Sequence, residues 1–300
     1  YRNDQPDTLF FGGGTPSILT EKQIRAVLEE IQNCFRVLPD AEISLELNPG
    51  TADYEKIRGI RKAGVNRLSI GAQSLDSEEL KLLGRIHDKE EFLACYQAAR
   101  EAGFENINID LMSALPGQTW SSFFVSLREV VGLKPEHLSI YSLIIEEGTP
   151  FYDVYGPGKG EELLPGEEED REIYHRTLTY LSRHGYERYE LSNYAKPGFE
   201  CKHNLFSTSP VSSLFQYPNF GHDVPVWLED DENNSKQILK IMIAIQDPLR
   251  ERGNAGNILF SSPFGVHCKD YRDQRRECVM KFIESIWKIS KERNIKVIFY

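Results

Sequence analysis

The sequence predicts an α/β fold in which parallel β-α units follow one another through the first half of the chain. Three observations carry this. Apolar runs of four to seven residues alternate with amphipathic stretches of ten to sixteen, the rhythm of strands joined by crossover helices. Thr20 offers an N-cap for the first helix, and two later helices close on Gly64 and Gly103. Unusual residues (three glycines, a glutamate, a glutamine, an aspartate) recur where strands end.

The elements follow in order. Thr8–Phe11 reads as a strand, then Gly12–Pro16 and a helix from Thr20 to Phe35, with Thr20 as N-cap and Gln23 completing a capping box. Ile43–Leu47 is a strand and Asp53–Ala63 a helix stopped by Gly64. Arg67–Ala72 is a strand, followed by helices over Asp76–Leu83 and Lys89–Ala102, the second closed by Gly103. Asn106–Met112, Trp120–Val131 and His137–Leu143 give strand, helix, strand. Residues 161–170 hold six acidic side chains (Glu161, Glu162, Glu167, Glu168, Glu169, Asp170) and predict a linker plus the first turn of a helix to His184. Tyr186–Leu191 reads as a further strand. After Phe206 the periodicity lapses: Ser207–Gly221 is rich in Ser and Pro, Asp230–Asn234 is polar, and Gln246–Pro263 carries turn residues. A helix is expected again over Gln274–Arg293. The expected domains are 1–160 (β/α core), 161–205 (linker, helix and last strand) and 206–300, a divergent region of unassigned role.

The 300 residues are 40% hydrophobic and 27% charged, which excludes disordered and fibrous classes. A formal charge of −11 makes nucleic acid and anionic membranes poor partners. No apolar run approaches a bilayer span, and no basic-then-apolar leader opens the chain, so a cytoplasmic protein is expected. The chain starts at Tyr1 and ends on the apolar run Ile295–Tyr300, so both ends read as cuts. Cys34, Cys95, Cys201, Cys268 and Cys278 include no CxxC pair, arguing against a disulfide scaffold or a self-contained zinc site.

In a parallel β-α array, ligands gather at the carboxyl ends of strands. Gly12, Gly13 and Gly14 let backbone approach a ligand closely or make a flexible turn. Glu46, in an apolar strand, meets a ligand hydroxyl or an internal arginine, Arg67 or Arg85. Asp110 binds a ligand or caps a neighbouring loop, and Gln73 contacts a ligand or satisfies a turn. Tyr141 lies on the strand beyond.

Six blocks in one order then resemble a known family: Phe11–Ser17 (FGGGTPS), Glu46–Gly50 (ELNPG), Arg67–Ser74 (RLSIGAQS), Gly84-Arg85 with His87, Asn108–Thr119 (NIDLMSALPGQT) and Glu190–Asn204. Together, over residues 1–205, they resemble the radical S-adenosylmethionine proteins related to oxygen-independent coproporphyrinogen III oxidase, most closely the haem-chaperone branch. The resemblance implies a partial (β/α)6 barrel holding a 4Fe-4S cluster and S-adenosylmethionine. It assigns Gly13, Gly14 and Thr15 to the methionine end of the cofactor. It assigns Glu46, Gln73 and Asp110 to polar contacts that include ribose hydroxyls, Arg85 to its carboxylate and Ile144 to an apolar contact. His203 is a candidate haem ligand or a structural histidine. The family's CxxxCxxC cluster motif is absent from the 300 residues, so its ligands, with the first β-α unit, are expected upstream of Tyr1. The resemblance stops after Asn204, where Leu205-Phe-Ser-Thr departs from the family pattern. Three functions stand: haem binding and delivery to a receiving protein; oxidative decarboxylation of coproporphyrinogen III, an oxidoreductase activity that needs an electron donor; or an inactive remnant with an open sheet edge.

Overall fold

The structure, a computed structural model, describes residues 6–207, 240–246, 257–261 and 296–299. In chain order its elements are β1 (Thr8–Gly14), a 3-10 turn (Pro16–Ile18), α1 (Glu21–Cys34), β2 (Glu42–Leu47), α2 (Tyr54–Ala63) and β3 (Arg67–Gln73). Then come α3 (Ser77–Leu82), α4 (Lys89–Glu101), β4 (Asn106–Ser113), α5 (Trp120–Gly132), β5 (His137–Ser142), α6 (Pro150–Tyr155), a 3-10 turn (Glu161–Leu163) and α7 (Glu167–Arg183). The last are β6 (Glu187–Arg188), β7 (Asn193–Ala195), α8 (Lys202–Ser207), β8 (Lys240–Gln246), β9 (Asn257–Ser261) and β10 (Lys296–Phe299). The mostly parallel β-α alternation is the one the sequence predicts.

The chain divides into two compact units. The first takes Tyr1–Leu47, Thr51–Leu68 and Phe206–Tyr300; the second takes Asn48–Gly50 and Ser69–Leu205. In the first unit the strand order is β10-β9-β8-β1-β2. β1 pairs in parallel with β2 (Leu9 with Ile43, Phe11 with Leu45) and, on its other side, with β8 (Leu9 with Ile241, Phe11 with Ile243). The open edge expected of a remnant is therefore paired at β1. β9 is antiparallel to β8 and parallel to β10. β9 lies inside Gln246–Pro263, which the sequence reads as turn-rich: five residues between turn signals are too few for a period to stand out. Leu9, Phe11, Ile43, Leu45 and Leu47 are buried on one face, with Ile24, Leu28 and Ile31 of α1 and Ile57 and Ile60 of α2. Thr20 accepts from the Gln23 amide while Gln23 Oε1 accepts from the Thr20 amide, the expected capping box. Asp53 caps α2, and Gly64 ends it at a φ of 117°.

In the second unit the order is β3-β4-β5-β7-β6, and β4 and β5 pair in parallel. One face is apolar (Ile70 and Ala72; Ile107, Ile109 and Leu111; Leu138 and Ile140), buried with Phe92, Phe123 and Leu127 of the helices. The strand expected over Tyr186–Leu191 is instead an antiparallel pair, β6 with β7, turning between. Glu190 makes that turn: its Oε2 accepts from the Ser192 amide at 3.1 Å and from Asn193 Nδ2 at 2.5 Å. α6 was not anticipated, although Thr149 at its N-cap and Pro150 at its first position are ordinary start signals. The helix expected over Gln274–Arg293 and the segments Ser207–Gly221 and Asp230–Asn234 lie outside the described residues, apart from Ser207 in α8. No helix among the described residues is long and apolar enough to cross a membrane.

Candidate functional site

In the first unit the glycine run continues the strand: β1 extends through Gly14, and the turn begins only at Thr15. Gly12 is confined by its surroundings. A Cβ there would lie 2.6 Å from Phe10 Cε1, 2.9 Å from Phe10 Cδ1 and 3.1 Å from Glu46 Oε1. Gly13 is exposed with a φ of 77°, a conformation glycine reaches without strain. Its amide donates to Glu46 Oε2 at 2.9 Å. The carboxylate thus engages the backbone of the glycine run, and Arg67, almost fully buried, donates from Nη1 to Ser44 Oγ at 3.4 Å. Thr15 is buried, and Ser17 Oγ and Thr51 Oγ1 lie 2.6 Å apart, fastening the turn after β1 to the loop before α2.

In the second unit Gln73 ends β3 with a φ of 63°, and Ala114, just past β4, has 57°. Neither residue type favours this region, so both strand ends hold strained backbone, a feature that concentrates at functional sites. Asp110 is half-buried on β4. Its Oδ2 accepts from Ser69 Oγ at 3.1 Å and its Oδ1 from Asn108 Nδ2 at 2.7 Å. Arg85, half-buried, follows Gly84 (φ 63°) in the loop between α3 and α4. His87 beside it is buried, with Nε2 3.3 Å from the Ala72 carbonyl oxygen. Desolvation holds the His87 pKa below the ordinary imidazole value; the Arg85 charge adds to this, and the Ala72 carbonyl opposes it. Ile144 and Tyr141 are exposed past and at the end of β5. His203 lies on α8 and is buried.

Behind Asp110 runs a polar network that sequence reasoning missed. Asn108 Nδ2 also donates to Ser69 Oγ at 2.7 Å, and Asn108 Oδ1 lies 2.6 Å from His137 Nδ1. His137 Nε2 lies 2.7 Å from Tyr189 Oη, and Ser139 Oγ lies 2.8 Å from Asn193 Oδ1. Ser69, Asn108, His137, Ser139 and Asn193 are all buried. Their signal was present: Ser69 on β3, Asn106, Asn108 and Asp110 on β4, and His137 and Ser139 on β5 alternate with the apolar face.

The residues do not fit an iron–sulfur cluster. Among the described residues, no group of three or more His, Cys, Asp or Glu could hold a metal ion. Cys95 and Cys201 are buried, and burial pushes the Cys95 thiol up to about 12, the reverse of a ligating thiolate. In the first unit Glu46 is partly exposed near the end of β2 and Gly13 presents exposed backbone; in the second, Asp110 is partly exposed on β4 and Gln73 is held in strained backbone.

The radical SAM superfamily model matches residues 1–130. The heme chaperone HemW of Bacillus subtilis (strain 168) is 41% identical over 207 residues, covering 68% of this chain and 54% of that protein. The heme chaperone HemW of Escherichia coli (strain K12) is 40% identical over 198 residues, covering 66% and 51%. The chain thus spans about half the length of the curated relatives it matches. Among solved structures, coproporphyrinogen III oxidase (HemN) from Escherichia coli, a radical SAM enzyme, is 30% identical with a TM-score of 0.58, covering 68% of this chain and 45% of that one.

Proposed function

This chain belongs to the radical SAM superfamily and is HemW-like, and from that premise we propose that it binds S-adenosylmethionine and haem as a cytoplasmic haem chaperone. Asp110 carries the cofactor part of the proposal: a half-buried carboxylate whose two oxygens are oriented by Ser69 and Asn108 is prepared to meet ribose hydroxyls. Gln73 is its partner toward the nucleoside. Gly13, Gly14, Thr15 and Glu46 meet the methionine end, Arg85 takes the carboxylate as a planar fork, and Ile144 packs against apolar cofactor surface. The described residues offer no ligands for a cluster, and the binding roles above do not depend on one.

Thermal melting with S-adenosylmethionine tests this. At a ligand concentration 100 times the dissociation constant, stabilisation is about 2.7 kcal/mol. Asp110→Asn and Glu46→Gln should each diminish it. No shift at saturating ligand would instead support an inactive remnant. For haem, the candidate ligand is His203. Because it is buried, ligation requires α8 to move, so a haem titration should give an absorbance change that His203→Ala abolishes. The likeness to coproporphyrinogen III oxidase favours a second reading, in which the chain takes coproporphyrinogen III. Tighter binding of that porphyrinogen than of haem would support it over the chaperone reading.

A further inference from the structure

The polar network behind Asp110 has a direction, and the chemistry of its ends sets that direction. An ionised carboxylate only accepts hydrogen bonds. Asp110 Oδ1 therefore requires the amide nitrogen of Asn108, 2.7 Å away, to face it, which leaves Asn108 Oδ1 facing His137 Nδ1 at 2.6 Å. An amide oxygen accepts, so His137 carries a proton on Nδ1. At the other end, a backbone amide only donates: the Cys201 N–H reaches Tyr189 Oη at 3.3 Å, with Asn204 Nδ2 at 3.5 Å. The single phenolic proton is then left for His137 Nε2, 2.7 Å away. The imidazole and phenol rings meet edge to face, with centroids 5.5 Å apart. His137 is fully buried and Asn108 nearly so, so the bonds act where water competes little.

We propose that His137 and Tyr189 are positioning residues for Asp110: a one-way chain of hydrogen bonds, from Tyr189 O–H to His137 and from His137 Nδ1–H through Asn108 to the carboxylate, holds Asp110 in the orientation that receives the hydroxyl pair of a nucleoside. The role of Asp110 in this rests on the cofactor reading above; the directed chain does not. The chain also links β4 and β5 to the turn between β6 and β7 and to the start of α8, joining the nucleoside contact to the segment that carries His203.

The test uses the full chain and two readouts. Without ligand, long-range nitrogen-15 NMR of the histidine rings, assigned with His137→Asn, should show His137 protonated at Nδ1 and unprotonated at Nε2. A reversed tautomer or an imidazolium at neutral pH overturns the directed chain. Calorimetric titration with S-adenosylmethionine should then show Tyr189→Phe, which keeps the ring and loses one proton donor, binding about 2–10-fold more weakly, the worth of one net hydrogen bond. His137→Asn, which keeps a donor beside Asn108, should bind more tightly than His137→Leu, which keeps none. A merely structural role would lower melting temperature in these variants and leave the affinity of their folded fraction unchanged. Equal affinities with the tautomer as stated overturn the positioning role while the cofactor reading survives. No binding by the unsubstituted chain overturns the cofactor reading and the positioning role with it, and the tautomer alone then decides the directed chain.

Discussion

Replacing Gly12 by alanine should distort the site through the contacts of one added carbon. Gly12 lies within β1, so the effect is steric: the new methyl carbon would meet the Phe10 ring at 2.6 and 2.9 Å and Glu46 Oε1 at 3.1 Å. Real Cβ atoms do not approach ring carbons that closely, so Phe10 must rotate or β1 must shift. Either movement disturbs the Glu46 carboxylate that accepts the Gly13 amide. Overpacking of this kind costs about 1–3 kcal/mol. With a denaturant slope of roughly 2–3 kcal/mol per molar, the urea midpoint followed by circular dichroism should fall by roughly 0.3–1.5 M. The nearest obstacle is a side chain, so Phe10→Leu in the same chain should relieve it. A double-mutant cycle should then give a coupling of about 1 kcal/mol between positions 10 and 12. A neutral Gly12→Ala, or a penalty unchanged by Phe10→Leu, would refute the steric reasoning.

Other outcomes follow from the same geometry. His87 has a pKa held below its ordinary value by desolvation, so protonation favours the unfolded chain. Its stabilisation is full above about pH 6.5 and is lost as pH falls toward the folded value. His87→Gln should flatten the stability curve on that acid limb, and an unchanged slope would count against the assignment. Cys95, buried with its thiol pushed up to about 12, should resist iodoacetamide at pH 8 in the native chain and react once denatured; peptide mass analysis showing native labelling would contradict this. Asp88 accepts from the Glu91 amide at 2.8 Å while Glu91 accepts from the Asp88 amide at 3.0 Å. Asp88→Ala should therefore cost about 1 kcal/mol by urea denaturation, and a loss below 0.3 kcal/mol would show the cap to be idle.

The β-α rhythm was legible because it is written in local signals. Thr20, Asp53, Asp76 and Asp88 cap their helices through their own side chains, and Gly64 and Gly103 take positive φ just past helix ends. Elements that depend on distant partners were not legible. β8 is a strand because β1 lies beside it, and β7 is one because it pairs with β5, more than fifty residues earlier. For the site, the strand-end residues stood out one at a time, but their partners did not. Glu46 stood out, but the Gly13 backbone amide that it accepts from did not. The strain at Gln73 and Ala114 leaves no mark in composition, since neither residue type prefers positive φ. His137 carried no spacing pattern of its own; its role arises only where Asn108 and Tyr189 close on its two nitrogens.

Hydrogen exchange read by mass spectrometry, with and without S-adenosylmethionine, asks most directly whether the strand-end residues hold that cofactor. Peptides spanning 12–15, 73–74 and 110–114 should exchange more slowly when it is added, and this protection should weaken in Asp110→Asn. Protection confined to other segments, or none at saturating cofactor, would contradict the account.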